Sequence, residues 1–109
     1  MISPDIIRGF IDIMLLHLLN NKDSYGYELS KSIKEKSGEQ YEIKETTLYS
    51  ALDRLEISGY IKSYVKQSEH IQKRVYYKIT DQGKNYFKEK KIEWRLIKNV
   101  INKFTEKND

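Results

Sequence analysis

The chain has 109 residues, with 20 Lys and Arg against 16 Asp and Glu, which gives a formal net charge of +4. This length predicts one small domain, or one domain with an appendage. The chain has no cysteine, which excludes a disulfide scaffold, a thiolate zinc site, an iron–sulfur centre and a cysteine nucleophile.

The sequence shows no sign of secretion or of membrane insertion. It begins with neither a basic n-region nor a small-residue cleavage site. The longest apolar run, Ile6 to Leu19, is interrupted by Arg8, Asp12 and His17 and is shorter than the about 20 cleaner residues that a membrane span needs. We therefore expect a cytoplasmic protein with no membrane partner.

The first residues predict a helix. Ser3, Pro4 and Asp5 supply a capping hydroxyl, a proline for the first helical position and an acid for the first turn. From Ile6 to Leu19 apolar residues cover almost the whole helical wheel, so this helix must be buried on more than one side. In so short a chain, the pattern indicates a second surface such as a partner subunit.

Two further helices follow, each with a cap and a glycine stop. Ser24 is placed to cap a second helix that runs to about Ser37, where Gly38 ends it. Thr46 is placed to cap a third helix, which Gly59 ends. The expected inward-facing residues are Leu29 and Ile33 on the second helix and Leu48, Ala51, Leu52 and Leu55 on the third.

After the third helix the apolar period changes from 3.6 to 2 residues, which predicts a β-hairpin. Tyr60 to Val65 is one strand, with Ile61 facing inward, and Lys73 to Ile79 is the other. The tip, Lys66 to Gln72, is polar. On the second strand, Val75, Tyr77 and Ile79 are expected on one face and Arg74, Tyr76 and Lys78 on the other.

A last helix is predicted from Asp81 to about Phe104, started by Thr80. The tail, Thr105 to Asp109, is expected to be frayed. The apolar stripe of this helix is Tyr86, Phe87, Trp94, Ile97, Val100, Ile101 and Phe104.

Positive charge is concentrated on the predicted hairpin. Residues 60–80 hold five basic residues against Glu69 alone, and such a patch attracts polyanions. Three helices followed by a hairpin is the order of a winged helix-turn-helix, in which the third helix enters the major groove of DNA. The sequence predicts a mostly α fold with a small β-hairpin: a DNA-binding domain over residues 1–80 and a C-terminal dimerisation helix over residues 81–109.

Three motifs, at matching spacing, resemble the PadR family of bacterial transcriptional regulators. They are Tyr25-Gly26-Tyr27-Glu28-Leu29, the run from Thr47 to Glu56 followed by Gly59-Tyr60-Ile61, and the run from Arg74 to Thr80 followed by Gly83. The likeness covers about residues 7 to 84. The single helix after the hairpin is similar to the short subfamily, which implies a homodimer formed by the last helix and the first.

The outer side of the third helix is the expected DNA-reading surface. Its small hydroxyls can bond to base edges or phosphates, and Arg54 alone could make a bidentate guanine contact. The resemblance implies a backbone contact for Tyr49, with packing under the hairpin as the alternative. We favour phosphate contact for Tyr25 and packing for Tyr27. The predicted DNA-binding residues are Tyr25, Lys44, Thr46, Thr47, Tyr49, Ser50, Arg54, Lys73 and Arg74.

The resemblance also implies a sensor site. Trp94, the only tryptophan, follows Gly83 by 11 residues, as in drug-sensing members whose two symmetry-related tryptophans flank a flat aromatic effector. Lys98 stands where those members carry an acid, which favours a neutral or anionic effector. The alternatives are ordinary dimer packing by Trp94 and a regulator that senses no ligand. The candidate effector-binding residues are Asp12, Ile13, His17, Trp94 and Lys98.

The sequence predicts no enzyme, no cofactor and no metal site. His17 and His70 are far apart in the predicted structure, and no glycine-rich phosphate loop occurs. The alternative to DNA binding is a winged-helix protein-interaction module, which predicts an apolar third-helix surface instead of a hydroxyl-rich one. We therefore expect a homodimeric repressor that binds double-stranded DNA at a pseudo-palindromic operator.

Overall fold

Helices make up most of the chain, and three strands form a small antiparallel sheet. The computed structural model describes residues 2–106, apart from the side chains at positions 68 and 71. The helices are α1 (Pro4–Ile7), α2 (Ile11–Asn21), α3 (Gly26–Lys36), α4 (Glu45–Ile57) and α5 (Asp81–Thr105), and the strands are β1 (Ser24–Tyr25), β2 (Ile61–Ser68) and β3 (Ile71–Ile79). The predicted mostly α fold with a small β element is confirmed.

The first predicted helix is broken in two, which corrects the expectation of one continuous helix. A 3-10 turn over Arg8–Phe10 separates α1 from α2. Gly9 lies inside this turn, and glycine is a poor helix former. Ser3 precedes α1 in an extended conformation, but within the described residues its side chain makes no capping hydrogen bond.

The second and third helices occupy the predicted positions, but their starts differ from the prediction. Ser24 belongs to β1, and its hydroxyl donates to Glu28 at 2.7 Å instead of capping a helix. α4 begins one residue before Thr46, with Lys44 at its N-cap. For Ser24 the cause is that strand pairing and the neighbouring Glu28 carboxylate compete with the local capping bond.

The end of α4 fixes where the hairpin begins. The backbone N–H of Gly59 donates to Glu56 O, and that of Tyr60 donates to Leu55 O, each at 3.0 Å. This pair of hydrogen bonds is the pattern that ends a helix at a left-handed residue, and Gly59 has a φ of +84°. The predicted glycine stop is confirmed, and the chain turns directly into β2.

The sheet has three strands in the order β1-β3-β2, all antiparallel. The sequence predicts only the two longer strands. β1 is two residues long and pairs with Tyr76 and Tyr77 of β3. β2 and β3 extend further toward the tip than predicted, so that only residues 69 and 70 separate them.

The core lies where α2, α3, α4 and the base of the hairpin meet. Its largest fully buried side chains are almost all leucines, and Leu15, Leu16 and Leu52 have no exposed surface. The predicted inward-facing residues of the second and third helices are all buried, and so are Ile61, Tyr77 and Ile79. Val75 differs, with 48% of its surface exposed, because it lies beyond the part of the sheet that covers the core.

α5 begins inside this domain and ends outside it. Thr80 caps it as predicted, its hydroxyl accepting from the Gly83 N–H at 3.0 Å. Within the helix, Gly83 and Phe87 are buried. The apolar stripe of α5 beyond them is exposed in the single chain, and it consists of Trp94, Ile97, Val100, Ile101 and Phe104. Because this part of α5 projects from the domain, the molecule is 63 Å long but only 29 Å and 21 Å across.

Candidate nucleic-acid interface

α4 presents a polar outer face because its opposite face is anchored in the core. The four inward residues of α4 are at most 2% exposed, so the helix has one fixed orientation. Thr47 is half-buried, and Lys44 is exposed at the N-cap. The arrangement matches the sequence-based expectation for the third helix. The exposed outer residues are Thr46, Tyr49, Ser50, Asp53 and Arg54.

Arg8 lies beside this face, at a position that no motif in the sequence marks. It lines the cleft between the 3-10 turn and α4 together with Thr46, Thr47, Ser50 and Arg54. Its guanidinium is 3.3 Å from the exposed carboxylate of Asp5, an ion pair of a kind that contributes little to stability. The sequence showed Arg8 only as an interruption of an apolar run, because one continuous helix was expected there.

Arg54 differs from its neighbours on α4 because its guanidinium pairs with the carboxylate of Asp12 on α2. The Arg54 side chain is 55% exposed and that of Asp12 is 24% exposed. These two residues were predicted for separate sites, one for DNA and one for an effector. The structure brings them into direct contact.

The N-terminus of α3 lies against the ring of Tyr49. Gly26 is buried there, and a Cβ at this position would overlap the Tyr49 hydroxyl. Tyr49 is nevertheless 41% exposed, so it both packs against the start of α3 and reaches the surface. The expected contact of Tyr49 with the DNA backbone stays a prediction.

The expected division between Tyr25 and Tyr27 is wrong for Tyr27. Because α3 begins at Gly26, Tyr27 lies in the first helical turn and projects outward, with 65% of its surface exposed. Tyr25 is half-buried in β1, its ring 5.2 Å from that of Tyr76. The guanidinium of Arg74 lies 4.4 Å from the Tyr25 ring centroid. Tyr27, Tyr49 and Arg74 therefore share one surface cleft with Tyr25.

The β2–β3 hairpin is the wing of this winged-helix domain, and its two predicted DNA-binding cations, Lys73 and Arg74, lie on opposite faces of the sheet. Successive residues of a strand alternate between faces, so Lys73 lies on the face of Tyr77, toward α4, and Arg74 on the outer face with Tyr76. Strand register pairs Lys62 with Lys78 and Lys66 with Arg74. The outer face thus carries four cations, and Lys66 lies 4.9 Å from the Tyr76 ring centroid.

Hydrogen bonds tie the hairpin to the helical part of the domain. The carboxylate of Glu56 in α4 accepts from the backbone N–H of Ser63 at 3.0 Å and from its hydroxyl at 2.6 Å. The Tyr64 hydroxyl donates to Asp23 at 2.7 Å. Burial, with smaller contributions from Tyr49 and the carboxylates of α4, raises the pKa of Tyr77, which lies between the sheet and α4. The hairpin and α4 are therefore held as one unit.

Trp94 lies on α5 between two cavities. The smaller, of about 260 Å³, is lined by Asp12, Ile13 and Phe10, and the Phe10 ring meets the indole edge-on at 5.1 Å. The larger, of about 380 Å³, is lined by Ile13 and His17. Four of the five predicted effector residues thus surround these cavities. Phe10 was missed, since it lies in the turn that the sequence does not predict.

Lys98 lines neither of the two cavities beside Trp94. It lies one turn further along α5, on the half of the helix that projects from the domain. The sequence-based grouping of Lys98 with Asp12, Ile13, His17 and Trp94 is therefore not reproduced within the described part of the chain.

Residues 15–89 match the model of the transcriptional regulator PadR-like family. That range includes α3, α4 and the hairpin, which build the surface described above. The chain belongs to the PadR-like family of transcriptional regulators. No helix of this PadR-like chain within residues 2–106 is long and apolar enough to cross a membrane.

Solved structures of transcriptional regulators are similar to this PadR-like chain over nearly its whole length. One from Clostridium thermocellum is 55% identical, with a TM-score of 0.90, and the likeness covers 97% of this chain and 100% of that one. A PadR family transcription regulator from Clostridium difficile is 42% identical, with a TM-score of 0.79, over 87% of this chain and 97% of that one.

A more distant structure is that of Bacillus subtilis PadR in complex with operator DNA. It is 24% identical to this PadR-like chain, with a TM-score of 0.65, and the likeness covers 73% of this chain and 45% of that one. At this identity the comparison shows a shared fold.

Proposed function

We propose that this PadR-like regulator is a homodimeric repressor that binds a pseudo-palindromic operator in duplex DNA through α4 and the β2–β3 hairpin. In this proposal residues 1–80 form the DNA-binding domain, and residues 81–109 form the dimerisation helix. The observation that carries it is the polar outer face of α4, with hydroxyls near its N-terminus and cations beside it. Membership of a family of transcriptional regulators supports it, and one member, Bacillus subtilis PadR, was solved with operator DNA.

The proposed division of labour follows from the chemistry of each group. Thr46 and Ser50 are small, exposed and near the N-terminus of α4, which is the part of a recognition helix that reaches base edges. Lys44 and Lys73 supply positive charge on either side of it, as phosphate contacts require. The remaining proposed contacts come from Thr47 and Tyr49 of α4, Tyr25 of β1 and Arg74 of β3.

The proposed dimer is supported by the exposed stripe of α5. Half or more of the surface of Ile101 and Phe104 is exposed in the single chain, at 53% and 83% respectively. Aliphatic and aromatic side chains in such a row favour burial against a partner. A two-fold dimer presents two copies of α4 about one turn of DNA apart, so its operator should be a pseudo-palindrome.

A salt titration of duplex binding tests the proposal. With roughly 3–4 phosphate contacts in each subunit, the slope of log K against log salt should be about −5 to −7. Ser50→Ala should alter the preference among operator variants, whereas Ser58→Ala, at the far end of α4, should not. A slope near zero would instead favour a protein-interaction module.

We also propose that a flat aromatic effector binds beside Trp94 at the dimer centre and releases the operator. The partial exposure of Trp94 and the two adjoining cavities support this role. Because Trp94 is the sole indole, tryptophan emission reports on this site alone. A panel of planar compounds should include one that stacks on Trp94 and quenches this emission.

Trp94→Ala should abolish the response to that compound and leave operator binding nearly intact. If the substitution dissociates the dimer, Trp94 is an interface residue and the effector proposal fails. Unchanged emission across the panel contradicts it as well and favours a repressor that senses no ligand.

A further inference from the structure

We infer that Asp12 withholds Arg54 from DNA, so that an acidic residue of α2 limits the affinity of the recognition helix. This inference rests on the proposed binding of duplex DNA by α4. It assigns Asp12 a role outside the effector site for which its position in the sequence marked it.

Arg54 lies on the side of α4 proposed to contact DNA, but its guanidinium pairs with Asp12 of α2. Thr46, Ser50 and Arg54 recur every four residues and therefore share one side of the helix. Arginine is the residue best suited to bind phosphate or guanine in a bidentate manner. Here one terminal nitrogen of the Arg54 guanidinium donates to the Asp12 carboxylate, which draws the guanidinium toward α2.

The ion pair is not needed to hold α4 in place. Leu48, Ala51 and Leu55 of α4 are at most 2% exposed, and such core packing dominates the position of a helix. Arg54 is more than half exposed, at 55%, and exposed ion pairs stabilise proteins only weakly. Breaking the pair should therefore change where the guanidinium points and leave the fold intact.

Two effects of Asp12 on DNA binding follow. The carboxylate neutralises the only arginine on α4, and it adds a negative charge beside a surface that approaches phosphates. The first effect depends on Arg54, and the second does not. A pair of substitutions separates them.

The test is operator binding by Asp12→Asn, Arg54→Gln and the double variant, measured against salt concentration. Asp12→Asn should bind duplex operator about two- to five-fold more tightly per subunit, the range expected for releasing an exposed ion pair. Its salt slope should steepen by about 0.9 for each arginine released. Arg54→Gln alone should weaken binding by no more than about two- to five-fold, because it uncovers the Asp12 carboxylate but removes no contact to DNA.

The double variant shows whether the effect of Asp12 on DNA binding depends on Arg54. In the Arg54→Gln background, Asp12→Asn should no longer steepen the salt slope. Asp53→Asn is the matched control, because it removes one carboxylate from α4 itself. Any gain in operator affinity from Asp53→Asn should be the same in the wild-type and Arg54→Gln backgrounds. Thermal unfolding of each variant checks that the fold is retained.

Several outcomes would overturn the inference. Weaker operator binding by Asp12→Asn would mean that the pair orients Arg54 productively. A large loss of affinity in Arg54→Gln would mean that Arg54 already contacts DNA in the wild type. Equal slopes for wild type and Asp12→Asn would show that no arginine is released. If the wild-type protein binds no duplex at all, the proposed function fails first, and the two failures are distinguishable.

Discussion

The exposed stripe of α5 yields a quantitative prediction for dimerisation. Replacing Ile97 and Ile101 with Asp should dissociate the proposed homodimer without unfolding the domain. The two side chains lie one turn apart, and 39% and 53% of their surfaces are exposed in the single chain. The core of the domain lies elsewhere, around α2 and α4, so the substitutions should spare it.

The magnitude follows from the area that dimerisation would bury. Complete burial of an isoleucine is worth about 1.5–3 kcal/mol, and roughly half of that is available at each position. Two positions in each of two subunits give about 3–6 kcal/mol, before the cost of burying a carboxylate is added. The dissociation constant of the dimer should therefore rise by about 10²- to 10⁴-fold.

Sedimentation velocity at micromolar concentration measures the change. The wild type should sediment as a dimer and Ile97→Asp with Ile101→Asp as a monomer. Asn99→Asp with Lys103→Asp, on the opposite side of α5, adds carboxylates without removing apolar area and should remain dimeric. A wild type that is monomeric at this concentration, or a control that dissociates equally, would refute the reasoning.

Three further predictions concern the wing, a buried glycine and a tyrosine. Lys73→Ala and Arg74→Ala should each weaken binding to all duplexes alike and reduce the salt slope by about 0.9 per subunit, and a sequence-selective loss in the same titration would show that the wing reads bases. In Gly83→Ala a Cβ would overlap a backbone carbonyl oxygen, so urea unfolding should show a loss of about 1–3 kcal/mol, whereas Gly9→Ala, with open space around it, should cost less. The pKa of Tyr77 is raised above the ordinary value of 10.0 in the folded state, so above pH 10 the tyrosine ionises more readily in the unfolded chain than in the folded one. The stability contributed by the neutral, buried Tyr77 is therefore complete below pH 10 and is lost as the pH rises through the raised pKa. The fall in the free energy of unfolding above pH 10 should be smaller in Tyr77→Phe.

Apolar periodicity predicts the architecture well because burial dominates folding. The stripe of Leu48, Ala51, Leu52 and Leu55 marks the inner face of α4, and the alternation of Tyr77 and Ile79 marks that of β3. All six side chains are buried as expected. Glycine stops also hold, because the left-handed backbone at Gly59 is a local requirement.

Element starts and tertiary pairings could not be predicted. Ser24 has the chemistry of a helix cap, yet strand pairing with Tyr77 places it in β1. Arg8 and Phe10 took their positions from a break in the first helix that apolar periodicity conceals. The pairing of Arg54 with Asp12 joins residues 42 positions apart, and nothing in either local pattern indicates it.

The central claim is that α4 of a two-fold dimer reads a paired site in duplex DNA. Selection of bound duplexes from a random library by the full chain, followed by sequencing, tests it most directly. The account predicts enrichment of a pseudo-palindrome whose half-sites lie about 10 base pairs apart, centre to centre. Ser50→Ala should change the enriched half-site, and Ser58→Ala should not. Enrichment of single, unpaired half-sites, or no enrichment above the input library, would contradict the account.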